Sequence, residues 1–80
     1  MDTYSTIRDR ILRLCDERDW AINQLATEAA VPPSSVKNIL YGKSQNPGII
    51  NIKKLCDGFG ITLGEFFSTP EFDQLEQEIE

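Results

Sequence analysis

Val31-Pro32-Pro33 interrupts the chain between two stretches whose apolar residues recur at helical spacing. Proline lacks an N–H and pushes the residue before it out of the α region, so no single helix can run through this point. On its N-terminal side Ile22, Leu25, Ala26 and Ala29 mark an amphipathic helix of about nine residues, which must stop here. On its C-terminal side Pro33 suits the first turn of a new helix, where a missing N–H costs nothing. Val36, Ile39 and Leu40 supply the apolar stripe of that helix, 33–41, and Gly42 is expected to close it as a left-handed C-terminal residue. Two short helices joined by a tight turn are therefore imposed locally.

The remaining segments build around this pair. Tyr4, Ile7, Ile11 and Leu14 recur every three or four residues among charged neighbours and predict a first helix over 4–18. The run Lys43-Ser44-Gln45-Asn46-Pro47-Gly48 is aperiodic and rich in turn formers, hence a surface loop. Ile52, Leu55, Cys56 and Phe59 predict a fourth helix closing near Gly58-Phe59-Gly60. Thr62 with Glu65 forms a capping box, flanked by Ile61 and Phe66 at the positions of a hydrophobic staple, so a fifth helix begins at Leu63. Pro70 can open a further turn with Phe72, Leu75 and Ile79 on one side. Ile49-Ile50-Asn51-Ile52, the nearest approach to a strand, is better used by the fourth helix. The fold class is all-α: a compact five-helix domain over 1–69 and a short acidic helix or tail over 70–80.

Eighty residues leave room for one small core, and 40% apolar with 26% charged residues is a globular composition. Histidine is absent, and Cys15 and Cys56 are far apart with no CxxC between them. Neither a zinc site nor a histidine-based catalytic group can be assembled, so no enzyme, metal or cofactor is expected. No apolar run approaches the length of a membrane span, so the expected place is the cytoplasm.

The net charge of −5 is unevenly spread. Glu71, Asp73, Glu76, Glu78 and Glu80 account for the whole excess, and residues 1–70 balance. From Ala29 to Cys56 no acidic residue occurs, while Lys37, Lys43, Lys53 and Lys54 all fall there. That cationic stretch contains the 33–41 helix and the loop after it. At 100° per residue, Ser34, Asn38 and Tyr41 lie opposite the apolar stripe of this helix with Lys37 beside them. Asn can pair bidentately with adenine, Lys with guanine O6/N7, and Ser with several base edges. A short helix, a turn and a second helix with such a face make a helix-turn-helix unit, whose second helix enters the major groove.

The ordered series Ile22-Asn23-Gln24-Leu25-Ala26, Val31, Ser34-Ser35-Val36, Ile39, Gly42-Lys43, Asn46-Pro47 and Leu55-Cys56-Asp57-Gly58-Phe59-Gly60-Ile61-Thr62-Leu63 resembles the lambda-repressor-like (Cro/cI or XRE type) helix-turn-helix proteins. The resemblance covers about residues 5–68. It implies a sequence-specific DNA-binding transcriptional regulator, expected to be a repressor. Such a protein sets its 33–41 helix in the major groove of a palindromic operator as a homodimer on the nucleoid. It maps base contacts onto Pro33, Ser34, Lys37 and Asn38, and backbone contacts onto Asn23, Lys43, Ser44 and Gln45. Gln24, Ser35 and Tyr41 complete the expected backbone set, and Phe72, Leu75 and Ile79 are candidate contacts for a second copy or another protein. The alternative function is a protein-interaction module of the same fold, an antitoxin or anti-regulator with weak or no specific DNA binding.

Several positions depart from the family pattern. Ala30 stands where the turn usually carries glycine, and at φ > 0 alanine is strained by roughly 1 kcal/mol. Ala21 occupies the N-cap of the second helix, where Ser or Thr would accept from an exposed N–H. Ile22 replaces a residue that is often a phosphate-bound Gln, and Pro33 can offer a base only apolar contact, for instance to a thymine methyl. Outside the motif, Cys15 and Cys56 read as small buried hydrophobes, with redox sensing as the alternative. Trp20 reads as a core lid. The arginines of the first helix read as a solvated face, from which Arg10 or Arg13 could reach a flanking phosphate.

Overall fold

The computed structural model describes residues 2–42 and 46–79, and these contain helices but no strand. In order they are α1 (Thr3–Arg18), α2 (Ile22–Ala29), α3 (Pro33–Tyr41), α4 (Ile49–Phe59), α5 (Leu63–Phe67) and α6 (Pro70–Asp73). The start of α1 is set by Asp2, whose carboxylate accepts from the Ser5 N–H at 2.7 Å. The capping box of α5 is present with both bonds made: Glu65 N–H to the Thr62 hydroxyl and Thr62 N–H to the Glu65 carboxylate.

Three helices end in the same way. Asp19, Ala30 and Gly60 adopt left-handed conformations with φ of 56°, 56° and 77° after α1, α2 and α4. Each donates to a carbonyl three residues back, and the next residue donates five back: Trp20 to Cys15, Val31 to Ala26, Ile61 to Cys56. These are Schellman motifs, and the apolar residue after each left-handed one packs against the core, as the motif favours. Each helix end is thus tied into the interior by the residue that reverses the chain.

The core is one cluster. Ile7, Ile11, Leu14 and Cys15 from α1 meet Leu25, Ala26 and Ala29 from α2, then Val36, Ile39 and Leu40 from α3. Ile52, Leu55, Cys56 and Phe59 from α4 and Phe66 from α5 complete it. Trp20 stacks on Phe59 at 5.8 Å and lies over the cluster as a lid. Both thiols are buried, and desolvation raises the pKa of each.

Two details differ from the sequence reading. Gly42 is not left-handed: φ is −77° and ψ 175°. Glycine serves there for another reason, because a Cβ would lie 2.2 Å from the Asn38 carbonyl oxygen that the Gly42 N–H itself bonds. The last helix is also shorter than the spacing of Phe72, Leu75 and Ile79 suggests. It stops at Asp73, with two acidic residues in its first turn and no basic residue in its last. Nothing favours extending so short a helix through further carboxylates. Phe72 packs within the chain, its ring 4.9 Å from Phe67 and 6.1 Å from Phe66. Leu75 is half-buried, Ile79 is 82% exposed, and Glu78 accepts from the Thr3 hydroxyl at 2.6 Å.

Candidate nucleic-acid interface

The turn between α2 and α3 consists of Ala30, Val31 and Pro32, with Ala30 in the left-handed state expected from its place in the motif. Val31 turns toward the core and Pro32 supplies the extended residue before α3. Pro33 occupies the first helical turn, and no side chain caps the α3 N-terminus. Val36, Ile39 and Leu40 are 0%, 7% and 1% exposed. Burial of these three sets which way α3 faces, and Pro33, Ser34, Lys37, Asn38 and Tyr41 are all exposed as a result. Ser35 is half-buried.

On α2, Asn23 and Gln24 are exposed, but the Gln24 amide donates to Glu28 at 2.9 Å. Contact with a phosphate requires that bond to break. Ala21 leaves the start of α2 without a side-chain cap. Lys43, Ser44 and Gln45 lie outside the described residues. Ser35 and Asn38 line a shallow cleft together with Asn46, Pro47, Gly48 and Asn51. Asn46, ahead of α4, and Asn51, in its first turn, therefore join the amides beside the exposed face of α3. Asn51 carries no signal in the sequence, because it sits inside the apolar run Ile49-Ile50-Asn51-Ile52, the nearest approach to a strand. Ile49 and Ile50 are themselves 55% and 68% exposed.

The lysines of the acid-free stretch are not equivalent. Lys53 is paired with Asp57, the acidic residue that ends the stretch. Lys37 and Lys54 make no ion pair among the described residues. The α1 arginines are largely engaged within the chain. Arg10 donates to the Phe66 and Glu65 carbonyls at 2.9 and 3.0 Å, closing the end of α5. Arg18 donates to the Phe59 carbonyl at 3.0 Å at the end of α4, and Arg13 meets Glu71 at 3.3 Å. A solvated face is thus the wrong description of Arg10 and Arg18, which act as C-terminal caps for other helices.

Among the described residues no group of three His, Cys, Asp or Glu is gathered to hold a metal. Among the same residues no helix is long and apolar enough to cross a membrane. Two short helices at a tight turn, the second polar outward and apolar inward, define a helix-turn-helix protein. The chain belongs to the Cro/C1-type helix-turn-helix DNA-binding family, whose model matches residues 10–71. It is 32% identical over 60 residues to YvzC of Bacillus subtilis strain 168, an uncharacterized HTH-type transcriptional regulator, covering 75% of this chain and 77% of that one. It also superposes on the crystal structure of the prophage Lp1 protein 11 with a TM-score of 0.79 and 29% identity, over 94% of this chain and 100% of that one. The fold and family together make it a DNA-binding regulator.

Proposed function

We propose that this chain is a sequence-specific repressor that binds a palindromic operator as a dimer, with α3 in the major groove. The observation that carries the reading is the division of α3 into a fully buried aliphatic side and an exposed side bearing Ser34, Lys37 and Asn38. Asn38 and Lys37 read base edges, Ser34 supports them, and Pro33 offers an apolar surface to a thymine methyl. Asn23, Gln24, Ser35 and Tyr41 contact the sugar-phosphate backbone, as do Lys43, Ser44 and Gln45. The uncapped first-turn N–H groups of α2 and α4 are further donors for phosphate oxygens.

With Lys53 neutralised by Asp57, one subunit presents few cations, and a second copy on a half-site one helical turn away restores affinity. Phe72 is occupied by its own chain, so Ile79 and Leu75 are the tail residues left to meet that copy. An operator overlapping a promoter then excludes polymerase, and the protein acts on the nucleoid.

The test begins with selection of duplexes from a random pool, followed by binding titrations at two salt concentrations. A palindromic consensus is expected. Asn38→Ala should relax preference at one base position by about 1–3 kcal/mol, and Lys43→Ala should weaken binding to all duplexes alike with a shallower salt slope. Salt-sensitive binding blind to sequence would overturn the reading in favour of a protein-interaction module.

A further inference from the structure

The helix that faces outward to DNA is tied to α1 at its C-terminal end. Its N-terminus begins at Pro32-Pro33 with no side-chain cap, and among the described residues the last backbone bond at its C-terminal end is from the Gly42 N–H to the Asn38 carbonyl. The carbonyls of Ile39 and Leu40 belong to the last turn of α3, Pro33–Tyr41. Both are met from α1: the Tyr4 hydroxyl lies 2.7 Å from the Ile39 oxygen and 3.1 Å from the Leu40 oxygen. A hydroxyl has one hydrogen, so Ile39 is the main acceptor and Leu40 shares it. Tyr4 is half-buried, and its hydroxyl reaches from α1 to the end of α3.

We propose that Tyr4 is a positioning residue for base recognition, a role that rests on α3 being the DNA-reading helix. Apolar burial of Val36, Ile39 and Leu40 fixes how deep α3 sits but is non-directional, and it tolerates small rotations and slides of the rod. A hydrogen bond is directional, and this one joins α3 to the longest helix of the fold. Asn38 is adjacent to Ile39, so the clamp acts within one residue of a base-reading side chain. Bidentate pairing depends on that orientation, whereas phosphate contacts, being largely electrostatic, do not.

The experiment compares the full chain with its Tyr4→Phe variant, which keeps the ring and removes the hydroxyl. Affinities are measured for the operator selected by the wild-type chain and for an unrelated duplex of the same length. The operator affinity should fall about three- to tenfold, the equivalent of one ordinary hydrogen bond, while affinity for the unrelated duplex is unchanged. Thr62→Ala, which weakens the fold at α5 away from α3, should leave the ratio of the two affinities intact. Hydrogen exchange should quicken at the amides of 38–42 in Tyr4→Phe and not in α4. A selective wild-type chain whose Tyr4→Phe variant keeps the full ratio would overturn the positioning role alone, as would an equal loss of ratio in Thr62→Ala. A wild-type chain that selects no operator would overturn the repressor reading and this role with it.

Discussion

Gly58 of α4 lies against the backbone of Ala29 in α2: a Cβ at Gly58 would be 2.8 Å from the Ala29 nitrogen and 2.9 Å from its Cα. Neither atom can swing aside like the end of a flexible side chain. The contact sets the depth of α4 against the first helix of the helix-turn-helix pair, and so the height of the α4 N-terminus beside α3. In an open helix, alanine for glycine gains up to about 1 kcal/mol. Here overpacking against backbone costs roughly 1–3 kcal/mol and dominates. Gly58→Ala should lower the thermal midpoint by about 5–10 °C. A midpoint unchanged or raised would show that α2 and α4 separate easily.

The first helix of the pair can be strengthened without touching α3. Ala30 is left-handed, a state that costs a Cβ-bearing residue roughly 1–2 kcal/mol. Ala30→Gly relieves that strain but loosens the unfolded chain, for a net gain of about 0.5–1 kcal/mol. Ala21 has φ −77° and ψ 166°, close to the values at Asp2 and Thr62, both of which cap their helices through side chains. Ala21→Ser should therefore find the same bond and add about 1 kcal/mol. Denaturant midpoints of the two single variants and the double variant check this. A double variant no more stable than the wild type would show that α2 is not limited by its ends.

The parts of the fold legible in the sequence are those decided within one turn of chain. Pro32-Pro33, the Thr62–Glu65 box and the stripe of Val36, Ile39 and Leu40 each involve neighbours, so spacing alone reveals them. Asp19 was not legible, because aspartate enters the left-handed state without marking it as glycine does. Gly42 was misleading in the opposite sense: its requirement comes from the approach of the Asn38 carbonyl and not from φ. The bonds of Tyr4, Arg10 and Arg18 join α1 to the ends of α3, α5 and α4 across long separations in sequence. Periodicity cannot report such partners. It ranks Tyr4 with the apolar stripe and the arginines with the solvent face.

Acid should act first on the two chain ends that rest on α1. The Asp2 carboxyl lies below its ordinary pKa, chiefly because the Ser5 N–H donates to it. Glu71 is lowered by its own backbone N–H, then by Thr69 and by Arg13. A carboxyl whose folded pKa is depressed contributes stability that is present above the unfolded value, about 4, and is lost as pH falls through the folded one. Thermal midpoints should hold steady from pH 7 to 5 and decline below about pH 4. Asp2→Asn, which keeps an acceptor but cannot titrate, should flatten part of that decline. An identical acid profile for Asp2→Asn would place the titrating groups elsewhere.

Arg18 ties three parts of the fold together, and Trp20 gives a way to observe it. Its guanidinium donates to the Leu14 and Phe59 carbonyls at 3.2 and 3.0 Å, and it lies 5.1 Å from the Phe59 ring centre and 5.9 Å from that of Trp20. The cation thus closes the C-terminal ends of α1 and α4 while resting against the stacked Trp20–Phe59 pair. Arg18→Met keeps the aliphatic bulk but removes the donors and the charge. The two carbonyls return to water and the cation–π contacts vanish, so a loss of about 1–2 kcal/mol is expected. Trp20 is the only tryptophan in the chain, so its emission reports the change directly. The spectrum of the folded variant should shift and its denaturant midpoint fall, with the slope of the transition unchanged. Emission and midpoint both equal to the wild type would mean that Arg18 rests on the surface without holding the two helix ends.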